Sequence, residues 1–571
     1  MTATARKPTF LELYTPKLAT VLREGYRWPD LKADVIAGLT VAIVALPLSM
    51  AIAIGSGVSP ERGLYTSIVG GFVVSLMGGS RFQIGGPAGA FIVLVAATVQ
   101  AYGLDGLLVA TFLAGLILLA VGLLRLGQFI RYIPFPVTVG FTCGIAVIIF
   151  AGQVKELLGL HLKGPEPGPF VPKLTALAAA LPTAGWGAIA VALLTILGTL
   201  VVRRFRPHWP AFLIAVTAAS VLAALLHLPV DTVGSRFGGI PRTLPAPHLP
   251  DLSPARVLQL LPAALSFALL GGIESLLSAV VADSMSGRRH RSNVELVAQG
   301  AANIASAMFG GVCVTGTIAR TATNVRAGAR GPVAGMLHAL FVLLFMVVAA
   351  PLAGYIPLSA LAAVLAVVCW TMAEKHAFVV LLRASRGDAA VVLVTFLLVV
   401  FRDLTQGILF GFGLGALLFL HRMAQAVEVE RPAPGSQDDK ADGTEGDPTT
   451  HYDAAEASDA EVAVFRISGA FFFGSAAAVG AALDEIGERP RAYVIDISDS
   501  PLVDSTAAST IAGFAKRAHR RGAVVYLTGV GPAALATLGA HGLRPPLVRF
   551  ASTVHEAMAI AHADTGLAPA A

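Results

Sequence analysis

The sequence predicts a polytopic α-helical membrane protein with fourteen spans in a 7+7 inverted repeat, followed by a soluble α/β domain. Three observations carry this: apolar runs that recur from residue 33 to residue 421, a charge-rich stretch after them, and basic clusters that alternate sides between the runs. At 55% hydrophobic and 13% charged, with a mean hydropathy of +0.74, the chain lies far from the roughly 25% charged residues of soluble proteins. The net charge of +6 comes largely from Lys and Arg beside the apolar runs. Such residues serve topology and anionic lipid, so no nucleic-acid partner is read from it.

The spans are placed at 33–54, 62–78, 84–102, 105–124, 134–154, 183–203, 209–227, 260–284, 293–309, 314–328, 331–351, 357–373, 387–402 and 404–422. The segment 1–32 lacks the apolar core and cleavage site of a signal peptide, so nothing is expected to be removed. With that segment cytoplasmic, one alternation collects Arg81, Arg125, Arg131, Arg203, Arg204, Arg206, Arg288, Arg289, Arg291, Arg326, Arg330, Lys375, Arg383, Arg386 and Arg422 on the same side, as the positive-inside rule requires. Both termini are then cytoplasmic and the chain is multi-pass in the inner (plasma) membrane. The connections 155–182 and 228–259 fall outside. An odd number of spans per set inverts the second set relative to the first.

That inversion brings two short stretches face to face. Gly85 to Phe91 and Val314 to Asn324 each run from an extended, glycine-containing segment into a helix. Pro87 suits a first helical position, and Thr315 or Thr317 can cap. A helix that begins in mid-membrane exposes free N–H groups and the positive end of its dipole, which together favour an anion. Paired half-helices of this kind form substrate sites near the bilayer midplane in secondary transporters. The alternative is that these small residues only permit close helix packing.

The transport domain is expected at 33–424, a flexible polar linker at 425–459, a soluble domain at 460–563 and a tail at 564–571. In the soluble part, strands are expected at 462–468, 493–497 and 524–528, helices at 475–486 and 505–521, and short helices around 548–550. Cys143, Cys313 and Cys369 lie in apolar runs without metal or disulfide spacing. His338 and His421 read as satisfied or interfacial residues. No metal cluster, catalytic triad or phosphate-cradling loop is present in the sequence, so neither enzyme activity nor a cofactor is expected.

The runs DVIAGLTVAIVALPLSMAIAIGSGVSPERGLYTSIVGG (34–71), SRFQIGGPAGAF (80–91), IESLLSAVVADSMSG (273–287), TGTIARTATNVRAGA (315–329) and VDSTAA (503–508) resemble those of the SulP anion transporters, relatives of sulfate permeases, prestin and pendrin. The resemblance implies core and gate domains, a cytoplasmic STAS domain open to protein partners, a homodimer and elevator-type movement. It places a small-anion site at Ser49, at Gly86, Pro87, Ala88, Gly89, Ala90 and Phe91, and at Gly316, Thr317, Ile318, Ala319 and Arg320. Members that carry sulfate usually show Pro-Gln-x-Met-x-Tyr in the first span, whereas this chain has Pro47-Leu48-Ser49-Met50-Ala51-Ile52. That departure, with Ile273–Leu277, looks more like the bacterial four-carbon dicarboxylate branch. The expected function is thus proton-coupled dicarboxylate symport, with sodium-coupled bicarbonate or sulfate transport, or a passive anion exchanger or channel with a STAS regulatory module, as alternatives.

Two ionisable residues stand out because charge in hydrocarbon is costly. Arg320 offers forked donors to an oxyanion, or else pairs with Glu274 or a helix C-terminus. Glu274 could carry a proton, help hold sodium, or stay locked to Arg320. Ser505 matches the phosphorylated serine of anti-sigma-factor antagonists, or else caps its helix.

Overall fold

The computed structural model describes residues 13–127, 134–164, 166–206, 209–402, 404–430, 462–484 and 490–565. The chain divides into two compact units, Met1–Gly413 and Leu414–Ala571.

Helices occupy the positions of the expected spans in the first unit. The first span, α1, is Trp28–Gly55, with proline at its start and Pro47 inside it. Pro47 has no N–H to donate, so the helix is weakened two residues ahead of Ser49. The second span is interrupted: Pro60–Tyr65 passes through a π-helical turn, Thr66–Gly70, into Gly71–Met77. Such turns are often found at functional sites. The strand β1, Gly85–Gly86, and a 3-10 turn, Gly89–Phe91, lead into α2, Ile92–Leu123. Gly103, at φ 70° and ψ −174°, splits α2 into the third and fourth spans. Only glycine takes that conformation without steric cost.

Further along are α3 (Phe135–Leu158), α4 (Pro254–Ser286), α5 (Ser292–Met308), β2 (Thr315–Gly316), α6 (Ile318–Arg326), α7 (Val333–Ala353) and α8 (Leu358–Met372). Among the described residues, eight helices are long and apolar enough to cross a membrane, by length and composition. One of the eight, Gly89–Leu123, takes in the expected spans 84–102 and 105–124, while the remaining expected spans, 314–328 among them, are shorter or interrupted. Helices also form at Phe170–Ala180 and Val233–Phe237, within the connections expected outside.

β1 and β2 pair antiparallel, with Gly85 opposite Gly316 and Gly86 opposite Thr315. This ribbon fixes both helix starts against each other. Around it, α5 packs backbone to backbone on the second half of α2. A Cβ on Gly300 would lie 2.6 Å from the Leu119 nitrogen and 2.7 Å from the Gly115 carbonyl.

The second unit has a five-stranded sheet in the order β3–β4–β5–β6–β7: Glu428–Glu430, Val462–Ser468, Ala492–Asp496, Val524–Thr528 and Arg549–Phe550. β3 is antiparallel to β4, and the other pairings are parallel. Ser505–Arg520 buries Ala508, Ile511 and Ala515 in the core shared with Phe465, Ile495 and Leu527. The short helices expected around 548–550 are instead β7, because Arg549 and Phe550 pair with Tyr526 and Leu527. Helices flank it at Pro532–Ala540 and Val554–Thr565. Of the linker at 425–459, the part from 431 lies outside the described residues, while Glu428–Glu430 is the edge strand.

Gly300→Leu should prevent folding, since inserting a side chain between two backbones costs at least about 3 kcal/mol. Gly413→Ala, with open space around the glycine, should be neutral. Size-exclusion profiles of detergent-extracted protein check both, with a collapsed peak for the first and an unchanged one for the second.

Candidate functional site

The geometry starts from Arg320, one turn into α6 and only 1% exposed. Its Nη1 donates to Ser67 Oγ at 3.0 Å, and its Nη2 donates to Ser49 Oγ at 3.0 Å and to the Pro87 carbonyl at 3.4 Å. The serine hydroxyls lie 2.8 Å apart, and Ser49 donates to the Ala45 carbonyl at 2.6 Å. With the Ser49 proton committed to that carbonyl, Ser67 is the donor between the two serines, and both hydroxyls turn lone pairs toward the guanidinium. Arg320 Nε has no hydrogen-bond partner among the described residues.

No carboxylate pairs with this cation among the described residues, so the alternative of a lock to Glu274 is not formed. Serine dipoles and one carbonyl compensate part of the charge. A buried cation without a full countercharge costs several kcal/mol. Gly86 is the glycine this arrangement requires, because a Cβ there would run into the Arg320 guanidinium. A Cβ on Gly316 would strike the Gln83 amide.

Both helix starts lack side-chain caps. Thr317 occupies the N-cap position of α6 at φ −96° and ψ 119°, but its hydroxyl donates to the Ile84 carbonyl at 3.2 Å. Thr315 donates to the Gly271 carbonyl at 3.1 Å. The expected threonine cap is therefore absent, and the first-turn N–H groups keep their ligand-binding capacity. Pro87 precedes the Ala88 N-cap rather than opening the helix. Its carbonyl, freed from helical bonding, is the one that accepts from Arg320.

Ala88, Ala90 and Phe91 are buried, Gly89 is half-buried, and Ile318 and Ala319 are exposed, which sets the open side of the site. Phe91 meets Phe267 edge to face at 6.0 Å. Met372 Sδ and Ile149 Cδ1 lie 3.9 and 4.0 Å from where a Cβ of Gly89 would stand. The first helix start thus looks toward apolar side chains of α8 and α3.

Glu274 sits on α4 apart from Arg320, with a buried Oε2 that has no partner among the described residues. Its neighbour Ser275 accepts from Gln83 Nε2 at 2.8 Å, and Gln83 Oε1 is likewise without a partner. Sequence reasoning missed Ser67 and Gln83. The signal for both was a polar side chain inside an apolar or glycine-rich run next to the site. His338, expected to be satisfied, is fully buried with neither ring nitrogen bonded among the described residues. His421 lies 3.1 Å from Gln425. In the second unit, Asp504 caps the helix by accepting from Ala507 N at 2.8 Å and from Phe473 N at 3.0 Å. Ser505 is therefore the exposed first helical residue rather than the cap.

Many apolar helices, two half-helices meeting at a buried arginine, and a small α/β domain define an integral-membrane anion transporter. Residues 31–395 match the family model described as the sulfate permease family, and residues 453–557 match the STAS domain. The chain belongs to the sulfate permease family, whose members are transporters and not enzymes. YvdB of Bacillus subtilis, provisionally named a sulfate transporter, is 38% identical over 509 residues, covering 89% of this chain and 93% of its own length. The bicarbonate transporter BicA of Picosynechococcus is 28% identical over 519 residues, covering 88% and 89%. The murine Slc26a9 anion transporter in its inward-facing state shares the fold, with a TM-score of 0.84 at 19% identity over 98% of this chain and 96% of its own. These relatives are named for sulfate and bicarbonate, which corrects the expected kinship with a dicarboxylate branch.

Gly86→Ala should weaken anion binding about tenfold or more, about 1.4 kcal/mol, by displacing the guanidinium. Anion-dependent thermal stabilisation of the purified protein reads this. Unchanged stabilisation would contradict the role of Gly86.

Proposed function

We propose that this chain is a secondary transporter of a small inorganic oxyanion, bicarbonate or sulfate, that binds between the two helix starts and is coupled to a cation through Glu274. The observation that carries the reading is the Arg320 guanidinium, 1% exposed, held by two serines and a carbonyl and without a carboxylate among the described residues. An anion supplies the missing countercharge. It accepts from Arg320 Nε and from first-turn N–H groups of both half-helices, and it lies along two helix dipoles. The names of the relatives favour inorganic oxyanions over the dicarboxylate expected from the first span.

Glu274 Oε2 and Gln83 Oε1 are acceptors without donors, which suits a sodium ion or a proton. A coupled cation offsets the cost of bringing an anion in against an inside-negative potential, about 2.3 kcal/mol per charge per 100 mV. The transport unit works as a homodimer by elevator-type movement, with cytoplasmic termini and the STAS domain as a regulatory module. Ser505, exposed at a helix start, is where a phosphate would meet favourable dipole charge.

Arg320→Ala should weaken anion binding at least about thirtyfold, about 2 kcal/mol, and Lys should restore it only in part, because an ammonium cannot reproduce the fork. Uptake of labelled bicarbonate and labelled sulfate into proteoliposomes measures this, and saturable, wild-type-like uptake by the alanine variant would sink the reading. Glu274→Gln should bind the anion but no longer accumulate it under the driving gradient. Imposing a sodium gradient and a proton gradient separately identifies the coupling ion, and accumulation by the Gln variant equal to wild type would remove Glu274 from that role.

A further inference from the structure

Helix α5 carries a column of polar side chains, Glu295, Gln299, Asn303 and Ser306, at spacings of four, four and three residues, which place them on one face. All four are fully buried. The lower end holds the approach to the first half-helix, since Glu295 Oε2 accepts from the backbone N–H of Gly79 at 2.9 Å and of Ser80 at 3.0 Å. The upper end holds the approach to the second. Asn303 Oδ1 accepts from Val314 N at 2.9 Å, its Nδ2 donates to the Val314 carbonyl at 2.8 Å, and Ser306 donates to the Val312 carbonyl at 2.7 Å. Gln299 joins the ends by donating to Glu295 Oε1 at 3.1 Å, while its own carbonyl accepts from Asn303 at 2.8 Å.

We propose that this column sets the spacing of the two half-helices, so that Glu295 and Asn303 are positioning residues for the anion although neither reaches it. The proposal rests on reading the paired helix starts as the anion site. The ribbon β1–β2 and the Thr321–Ile84 and Asn324–Phe82 hydrogen bonds join the two stretches directly, whereas the column grips each approach upstream of the ribbon from a single helix. That helix is itself fastened to α2 through Gly115 and Gly300. Glu295 acts here through acceptor geometry and not through charge. A glutamine at 295 can keep one oxygen on the Gly79 and Ser80 N–H groups. Its new amide can donate to Gln299 Oε1, which has no partner among the described residues, once the Gln299 amide turns over.

The test uses the full chain in liposomes with Glu295→Ala, Glu295→Gln and Asn303→Ala. Electron-spin distance measurements between labels at Ala97 and Thr323, one on each half-helix, report the spacing without reference to substrate; the native cysteines are buried. Wild type and Glu295→Gln should give one narrow distance. Glu295→Ala and Asn303→Ala should broaden it and raise KM for labelled bicarbonate or sulfate about tenfold in the folded fraction. A narrow, unshifted distance in both alanine variants overturns the proposal, as does a Gln variant as impaired as the Ala variant. So does loss of thermal stability with spacing and KM unchanged. If wild type takes up neither anion, the substrate reading fails while the distance measurement still decides the role of the column.

Discussion

A cation buried to 1% exposure with only serines and a carbonyl around it is the constraint on which the transport unit depends. Each neighbouring oddity follows from accommodating it. The π-helical turn at Thr66–Gly70 presents Ser67, and the helix weakened at Pro47 presents Ser49 two residues on. Gly86 leaves room for the guanidinium, and Pro87, outside its helix, turns a carbonyl toward it. The site is built from four separated segments because no single helix could surround an arginine with enough acceptors.

Much of this was legible in the sequence. Apolar runs located the helices, and an odd number of spans per repeat implied helix starts that face each other, which the pairing of β1 with β2 matches. Gly86, Pro87 and Arg320 could be singled out because their residue types are costly or unusual within an apolar run. Roles that depend on partners were not legible. Thr315 and Thr317 have the chemistry of caps, yet carbonyls of Gly271 and Ile84 compete for their hydroxyls. Ser67 looked like any small polar residue in a span, since its contact with Arg320 crosses 253 positions.

The soluble unit shows the same division. Its strands at 462–468 and 524–528 follow from short β-branched and aromatic runs. The two-residue strand Arg549–Phe550 is too brief to carry a pattern of its own and exists through pairing with Tyr526 and Leu527. Asp504, and not Ser505, caps the helix because a carboxylate reaches both Ala507 and Phe473 backbone nitrogens at once.

If the anion binds at Arg320 as proposed, the serine grip on the guanidinium also acts as a hydration filter. Three of the guanidinium donor contacts go to Ser49, Ser67 and Pro87, so an incoming anion finds few donors to replace the water it sheds. A dianion gives up a large solvation shell for that short supply, whereas a monovalent oxyanion has less to lose and can accept from the Nε–H left over. On that reading anions would be ranked by how cheaply they dehydrate, with the rank set by hydroxyls that never leave the protein.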